Sequence, residues 1–168
     1  DSVELHAAHG FLLSQFLSPL TNLREDEFGG DLAGRSRIHF EIIRAVRSKV
    51  GGDYPVFMRL GACDDMEGGL KLEETSALAP ALAAAGIDML DISGGLQGSR
   101  PQIDSEGYFS HYSEAIRKVV SVPVLTTGGI KTPQAADALI REGKADLVGV
   151  ARTVMKHPHW PRQALAAL

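Results

Sequence analysis

The feature that most constrains this chain is a recurring pair: a short apolar run, then a longer stretch of helical character. Apolar runs rich in Val, Ile and Leu lie near residues 3, 55, 87, 122 and 147. Over most of the chain the units repeat about every 25–35 residues, as βα units do. Strands that are apolar along their whole length belong to a parallel sheet with helices packed on it. The pattern suits either a β/α barrel or an open doubly wound sheet. No Gly-x-Gly-x-x-Gly follows the first strand, which disfavours the dinucleotide-binding type.

Local signals place the elements. Ile38, Ile42, Ile43, Val46 and Val50 mark one face of a helix over about 32–49, capped by Asp31 and ended by Gly51-Gly52. His39 on that helix is expected at the surface, with no role. A strand is predicted over 54–60, with Pro55 at its first position. A helix over about 73–85 stops at Gly86, and Pro80 inside it should kink or break it. Strands follow over 87–92, 122–126 and 146–150. Thr132-Pro133 opens a helix to about Arg141, a short helix is expected over 112–119, and a last helical segment runs past Pro158. Two connections are long, 13–33 and 94–111, and both are expected to be irregular. The loop over 61–70 carries Asp64, Asp65 and Glu67, expected as solvated loop acids.

Composition narrows the function class. The 168 residues are enough for one domain with a core. A net charge of −4 without a basic block argues against nucleic acid or an anionic membrane as partner. The single cysteine, Cys63, fits a reducing, cytoplasmic setting. No apolar run has the length of a membrane span, and the N-terminus lacks a signal-peptide pattern. The chain opens on Asp1, almost directly into a strand, so a fragment of a longer protein is expected.

The chemistry-bearing residues fall where strands end. His6 closes the first strand and His9 follows in an Ala-Ala-His-Gly turn. Two imidazoles so placed can converge on a metal or on a substrate oxygen; alternatively one packs and the other is solvated. Arg59 is a cation at the end of an apolar strand, calling for either a carboxylate neighbour or an anionic ligand. Ser93-Gly94-Gly95 ends a third strand. Gly128-Gly129 and Ala151-Arg152 end the last two, and bare amides there, with a helix starting after Ala151, suit a phosphate. In a β/α barrel all five sets face one crevice.

His6-Ala7-Ala8-His9-Gly10, the run Leu12 to Asn22, Asp26-Glu27-Phe28-Gly29-Gly30 and Arg35-Ser36-Arg37 together resemble the Old Yellow Enzyme family of FMN-dependent ene-reductases, and the likeness extends to the last residue. The resemblance implies an α/β fold, namely the C-terminal portion of a TIM (β/α)8 barrel. Residues 1–168 would be about five βα units, starting at the fourth strand, with the N-terminal half absent. It implies FMN as cofactor, NADH or NADPH as reductant, and a substrate with an activated C=C bond. His6 and His9 would hydrogen-bond the substrate's carbonyl or nitro oxygen. Arg59 would contact the pyrimidine edge of the flavin and favour its anionic reduced form, while Gly128, Gly129, Ala151 and Arg152 would hold the phosphate. Ala151 stands where the family usually has glycine. Phe11 stands where it usually has the tyrosine that protonates the substrate, so another donor is needed.

Five parallel strands do not close a barrel. Either the missing half-barrel or self-association should therefore complete the sheet, and the isolated segment is expected to be inactive. Two rivals have different consequences. A metal-dependent barrel hydrolase or aldolase would use Glu4, His6, His9 and a loop acid; a non-catalytic half-barrel would simply associate.

Overall fold

In the computed structural model, residues 1–99, 101 and 103–167 are described; Arg100 of the second long connection and the terminal Leu168 lie outside them. The elements run β1 Val3–Ala7, α1 Leu12–Leu17, α2 Leu32–Val50, β2 Val56–Gly61, α3 Leu72–Ala84, β3 Met89–Ser93, α4 Ser110–Arg117, β4 Val124–Thr126, α5 Pro133–Arg141, β5 Leu147–Val148, α6 Arg152–Lys156 and α7 Trp160–Ala167.

The five strands are parallel and lie in the order β1-β2-β3-β4-β5. That order settles the choice left open by strand spacing. A doubly wound sheet reverses direction at a switch point, whereas a barrel adds each strand beside the last. The fold is α/β, with five βα units of a TIM barrel.

The pleat assigns the two faces. Val56, Met58 and Leu60 on β2, Leu90 and Ile92 on β3 and Val124 on β4 are completely buried on the helix-covered side. Each such side chain contributes on the order of 1.5–3 kcal/mol through the hydrophobic effect. The alternate residues face the concave side, which would be the barrel interior. There Glu4, His6 and Leu147 are exposed, and Phe57, Arg59 and Leu125 are half-buried. Register aligns His6, Arg59, Asp91, Leu125 and Leu147 in one row across the sheet.

The caps form as their residue types require. Asp31 accepts from the Gly34 N–H at 2.9 Å, and Gly51 ends α2 at φ 86°. Thr132 accepts from the Ala135 N–H at 3.2 Å, with Pro133 in the first turn of α5.

Five expectations need correction. The connection over 13–33 is not wholly irregular, because α1 begins it and buries Leu13 and Leu17 against α2. His39 is fully buried rather than at the surface, because α1 folds over that face of α2. The backbone carbonyls of Ser36 and Leu13 lie toward its ring, but neither nitrogen closes a well-formed hydrogen bond, and burial pushes its pKa down to about 4. Asp64 is not a solvated acid. It is completely buried and accepts from the Ser18 hydroxyl (2.6 Å) and the N–H groups of Leu70 and Leu96 (2.8 Å each). Helix α3 runs through Pro80 unbroken, with the proline on its exposed face, where water can serve the freed carbonyl. The final segment is two helices, parted at His157-Pro158-His159.

Candidate active site

Strand β1 delivers His6 to the sheet's C-terminal edge, and the turn after it requires small residues. Ala7 is 1% exposed and Ala8 0%, so the chain turns against packed neighbours. His9 at φ 59° and Gly10 at φ 73° are both left-handed, which costs a non-glycine residue about 1 kcal/mol or more. The fold holds His9 there through its N–H, which donates to the Gly94 carbonyl at 3.1 Å. Its ring is fixed as well, since Nε2 and the Ser93 hydroxyl share a 2.7 Å hydrogen bond.

The two imidazoles meet edge to face, with centroids 5.1 Å apart, and Phe11 lies 5.0 Å from His6. The Ala8 N–H donates to His6 Nδ1 at 3.3 Å, which puts the proton of neutral His6 on Nε2. Burial first, and then the Arg59 charge, lowers both histidines; His9 falls to about 4. Near neutral pH the pair is therefore uncharged, a source of hydrogen bonds rather than of positive charge.

Arg59 projects from β2 onto the concave face beside Asp91 of β3. Its Nε stands 3.4 Å from Asp91 Oδ2, an ion contact longer than a hydrogen bond. Arg59 Nε and Asp91 Oδ1 are both buried without a hydrogen-bond partner. Arg59 thus has the carboxylate neighbour that one alternative called for, and it also lines the cleft.

At the other end, Gly128 and Gly129 adopt φ 121° and 66°. Their lack of a side chain has a cause that the sequence did not reveal. A Cβ on Gly128 would lie 2.9 Å from the Tyr108 ring, and one on Gly129 2.7 Å from it. Among the described hydrogen bonds, no protein acceptor takes the N–H of Gly128, Gly129 or Ala151. Bare amides are what a phosphate requires. Arg152 donates to the Tyr108 hydroxyl at 2.8 Å, and that hydroxyl donates to the Ser99 carbonyl at 2.8 Å.

One cleft of about 1020 Å³ joins these groups. His9, Arg59, Asp91, Gly128, Gly129, Ala151 and Arg152 all line it. His6 is the single predicted site residue outside its wall, one ring away on the edge strand. Sequence reasoning missed Asp91 and Tyr108. The signal for Asp91 was present, because an acid inside Met-Leu-Asp-Ile-Ser is as anomalous as Arg59 in its own strand. Tyr108 had no such signal, since its place depends on how a long loop folds back. Glu4, His6, His9 and the loop acids do not assemble into a metal set; among the described residues no three His, Cys, Asp or Glu side chains converge. Among them also, no helix is long and apolar enough to cross a membrane.

Comparison with known proteins gives a consistent result. The sequence profile of the NADH:flavin oxidoreductase / NADH oxidase family matches residues 1–168. The NADH oxidase of Thermoanaerobacter brockii is 42% identical over 169 residues, covering 98% of this chain and 26% of the relative. The NADPH dehydrogenase of Halalkalibacterium halodurans is 38% identical over 168 residues, covering 100% of this chain and 49% of the relative. The solved 2-naphthoyl-CoA reductase–2-naphthoyl-CoA complex superposes with a TM-score of 0.91 at 31% identity, covering 99% of this chain and 26% of that one. The chain thus spans a quarter to a half of the length of these proteins.

Proposed function

The chain belongs to the NADH:flavin oxidoreductase / NADH oxidase family, and from that premise we propose that it forms the substrate-activating and phosphate-holding part of an ene-reductase. FMN is the family's cofactor, with NADH or NADPH as reductant among its members. The reaction proposed is reduction of a C=C bond activated by a carbonyl or nitro group. The observation that carries it is the pair of neutral imidazoles on the same rim as a guanidinium and a row of bare amides.

The residues fit FMN on their own chemistry. The amides of Gly128, Gly129 and Ala151 and the Arg152 side chain would take the phosphate, and Arg59 the polar edge of the ring system. When bound, FMN supplies the hydride. The protein's part is orientation and polarisation. His6 presents Nε2–H, and in the tautomer that takes the Ser93 hydroxyl proton at Nε2, His9 presents Nδ1–H. Two such donors on one oxygen withdraw charge from the conjugated double bond. Phe11, its ring 5.0 Å from that of His6, brings no proton, so the proton would come from water or another donor.

The concave face carries half-buried Phe57 and Leu125 and exposed Leu147, and β1 and β5 are open edges. In this reading residues 1–168 are one part of a barrel. The remaining strands, in the same polypeptide or in a second copy, close over the face; the isolated segment would hold FMN weakly and stay inactive. A cytoplasmic setting goes with a reduced cofactor.

The test is replacement of both His6 and His9 by alanine in the whole gene product. NAD(P)H-driven reduction of an enone or nitroalkene should fall at least about 100-fold, the scale of losing oriented polarising donors, with the visible flavin spectrum retained. An unchanged rate refutes the histidine roles; a purified protein without flavin bands refutes the cofactor.

A further inference from the structure

We propose that Asp91 is a positioning residue for Arg59, which by taking up or releasing one proton sets how much of the guanidinium charge reaches a cofactor lying over the strand ends. The inference rests on the FMN reading above and extends it to a residue with no role there.

The geometry is specific. Asp91 and Arg59 are register partners on adjacent strands, both on the concave face and both in the cleft wall. A carboxylate and a guanidinium so placed ordinarily close a short, paired hydrogen bond. Here the approach stops at 3.4 Å, and Asp91 Oδ1 is left buried and unpartnered. Its side chain is 8% exposed, so water does not compensate. An ionised carboxylate held like this is costly, and a protonated one much less so.

The surroundings allow both states. Arg59 on β2 favours the ionised form, and Glu4 on β1 opposes it. His6 and His9, the other titratable groups on this side, are neutral near pH 7. On the far side β4 offers Leu125 and the turn after it Thr127, neither of which titrates. Burial dominates and lifts the Asp91 carboxyl to about 7. Protonated Asp91 leaves Arg59 a full cation; ionised Asp91 makes the two a neutral pair.

The consequence follows from charge. Two electrons from NAD(P)H, accompanied by one proton, leave the cofactor with an added negative charge beside Arg59. That charge repels an ionised Asp91, so the carboxylate takes one proton from solvent and its O–H bond forms. The balance is two electrons and one proton to the cofactor, and up to one further proton to Asp91. Arg59 then faces the reduced cofactor with its charge uncancelled.

The experiment compares the FMN-loaded whole gene product with its Asp91→Asn variant, recording flavin midpoint potential against pH from 6 to 9. Wild type should take up close to two protons per two electrons in part of that range, and Asp91→Asn one throughout. The wild-type curve is then up to twice as steep there. At the alkaline end Asp91→Asn should have the higher potential. Parallel curves overturn the proposal while leaving the FMN reading intact; absence of bound flavin in the wild type overturns that reading and the proposal with it. Should Asp91→Asn not fold, reduced-minus-oxidised infrared difference spectra of wild type decide. A gained protonated-carboxyl band supports the proposal, and its absence across the pH range overturns it.

Discussion

The two ends of the cleft are built on unequal foundations. At the imidazole end, β1–β3 and α1–α3, joined by α4 and Val124 of β4, share a large core in which Met58, Leu60, Leu82, Leu90 and Ile92 admit no solvent. At the phosphate end, Ile130, Ala136 and Leu139 form a small separate cluster. Strand β5 has two residues, Leu147 is 45% exposed, α6 buries nothing and α7 buries Ala164 alone. The difference matches the demands of the two jobs. Two imidazoles must be aimed at one atom, which needs side chains locked by packing and hydrogen bonds. A row of backbone amides needs only the local turn, so it tolerates a platform with few buried contacts and low local stability.

The comparison can be broken at its firm end first. Asp64 ties the loops after α1, β2 and β3 through Ser18, Leu70 and Leu96. Asp64→Ala strands two buried donors and a part-buried one and should cost about 3–5 kcal/mol in a denaturant titration of the whole gene product. A loss below about 1 kcal/mol would show that the firm end does not depend on this hub.

Acid probes the same end. The folded pKa of His39 is about 4, below the usual histidine value of 6.5. Between those values the unfolded chain binds a proton that the folded one refuses, so stability falls as pH falls through that window. The full loss is on the order of 3 kcal/mol. His9 titrates over the same interval, so the measurement is the difference between wild type and His39→Leu. The variant should lose less stability between pH 7 and 4; identical slopes would remove His39 from the account.

The smallest effect belongs to the soft end. Leu139→Ala should cost about 2 kcal/mol, the low limit for a buried leucine. It should speed amide exchange in α5–α7 while leaving β2 unchanged. Equal acceleration in β2 would erase the distinction between the ends.

Apart from α1 and the parting of α6 from α7, the order of strands and helices, the caps at Asp31 and Thr132-Pro133 and the stops at Gly51 and Gly86 were determined by the sequence alone. Periodicity and capping are local, and each signal lies within a few residues of the feature it produces. That His9, Arg59, Gly128, Gly129, Ala151 and Arg152 share one cleft also follows from sequence, because parallel βα units bring every strand's C-terminal end to one edge. The burial of His39 and Asp64, the close packing of Tyr108 on Gly128 and the loose meeting of Asp91 with Arg59 were decided only in three dimensions. Whether a polar side chain meets water, a partner or neither depends on which remote segment covers it, and no local pattern encodes that.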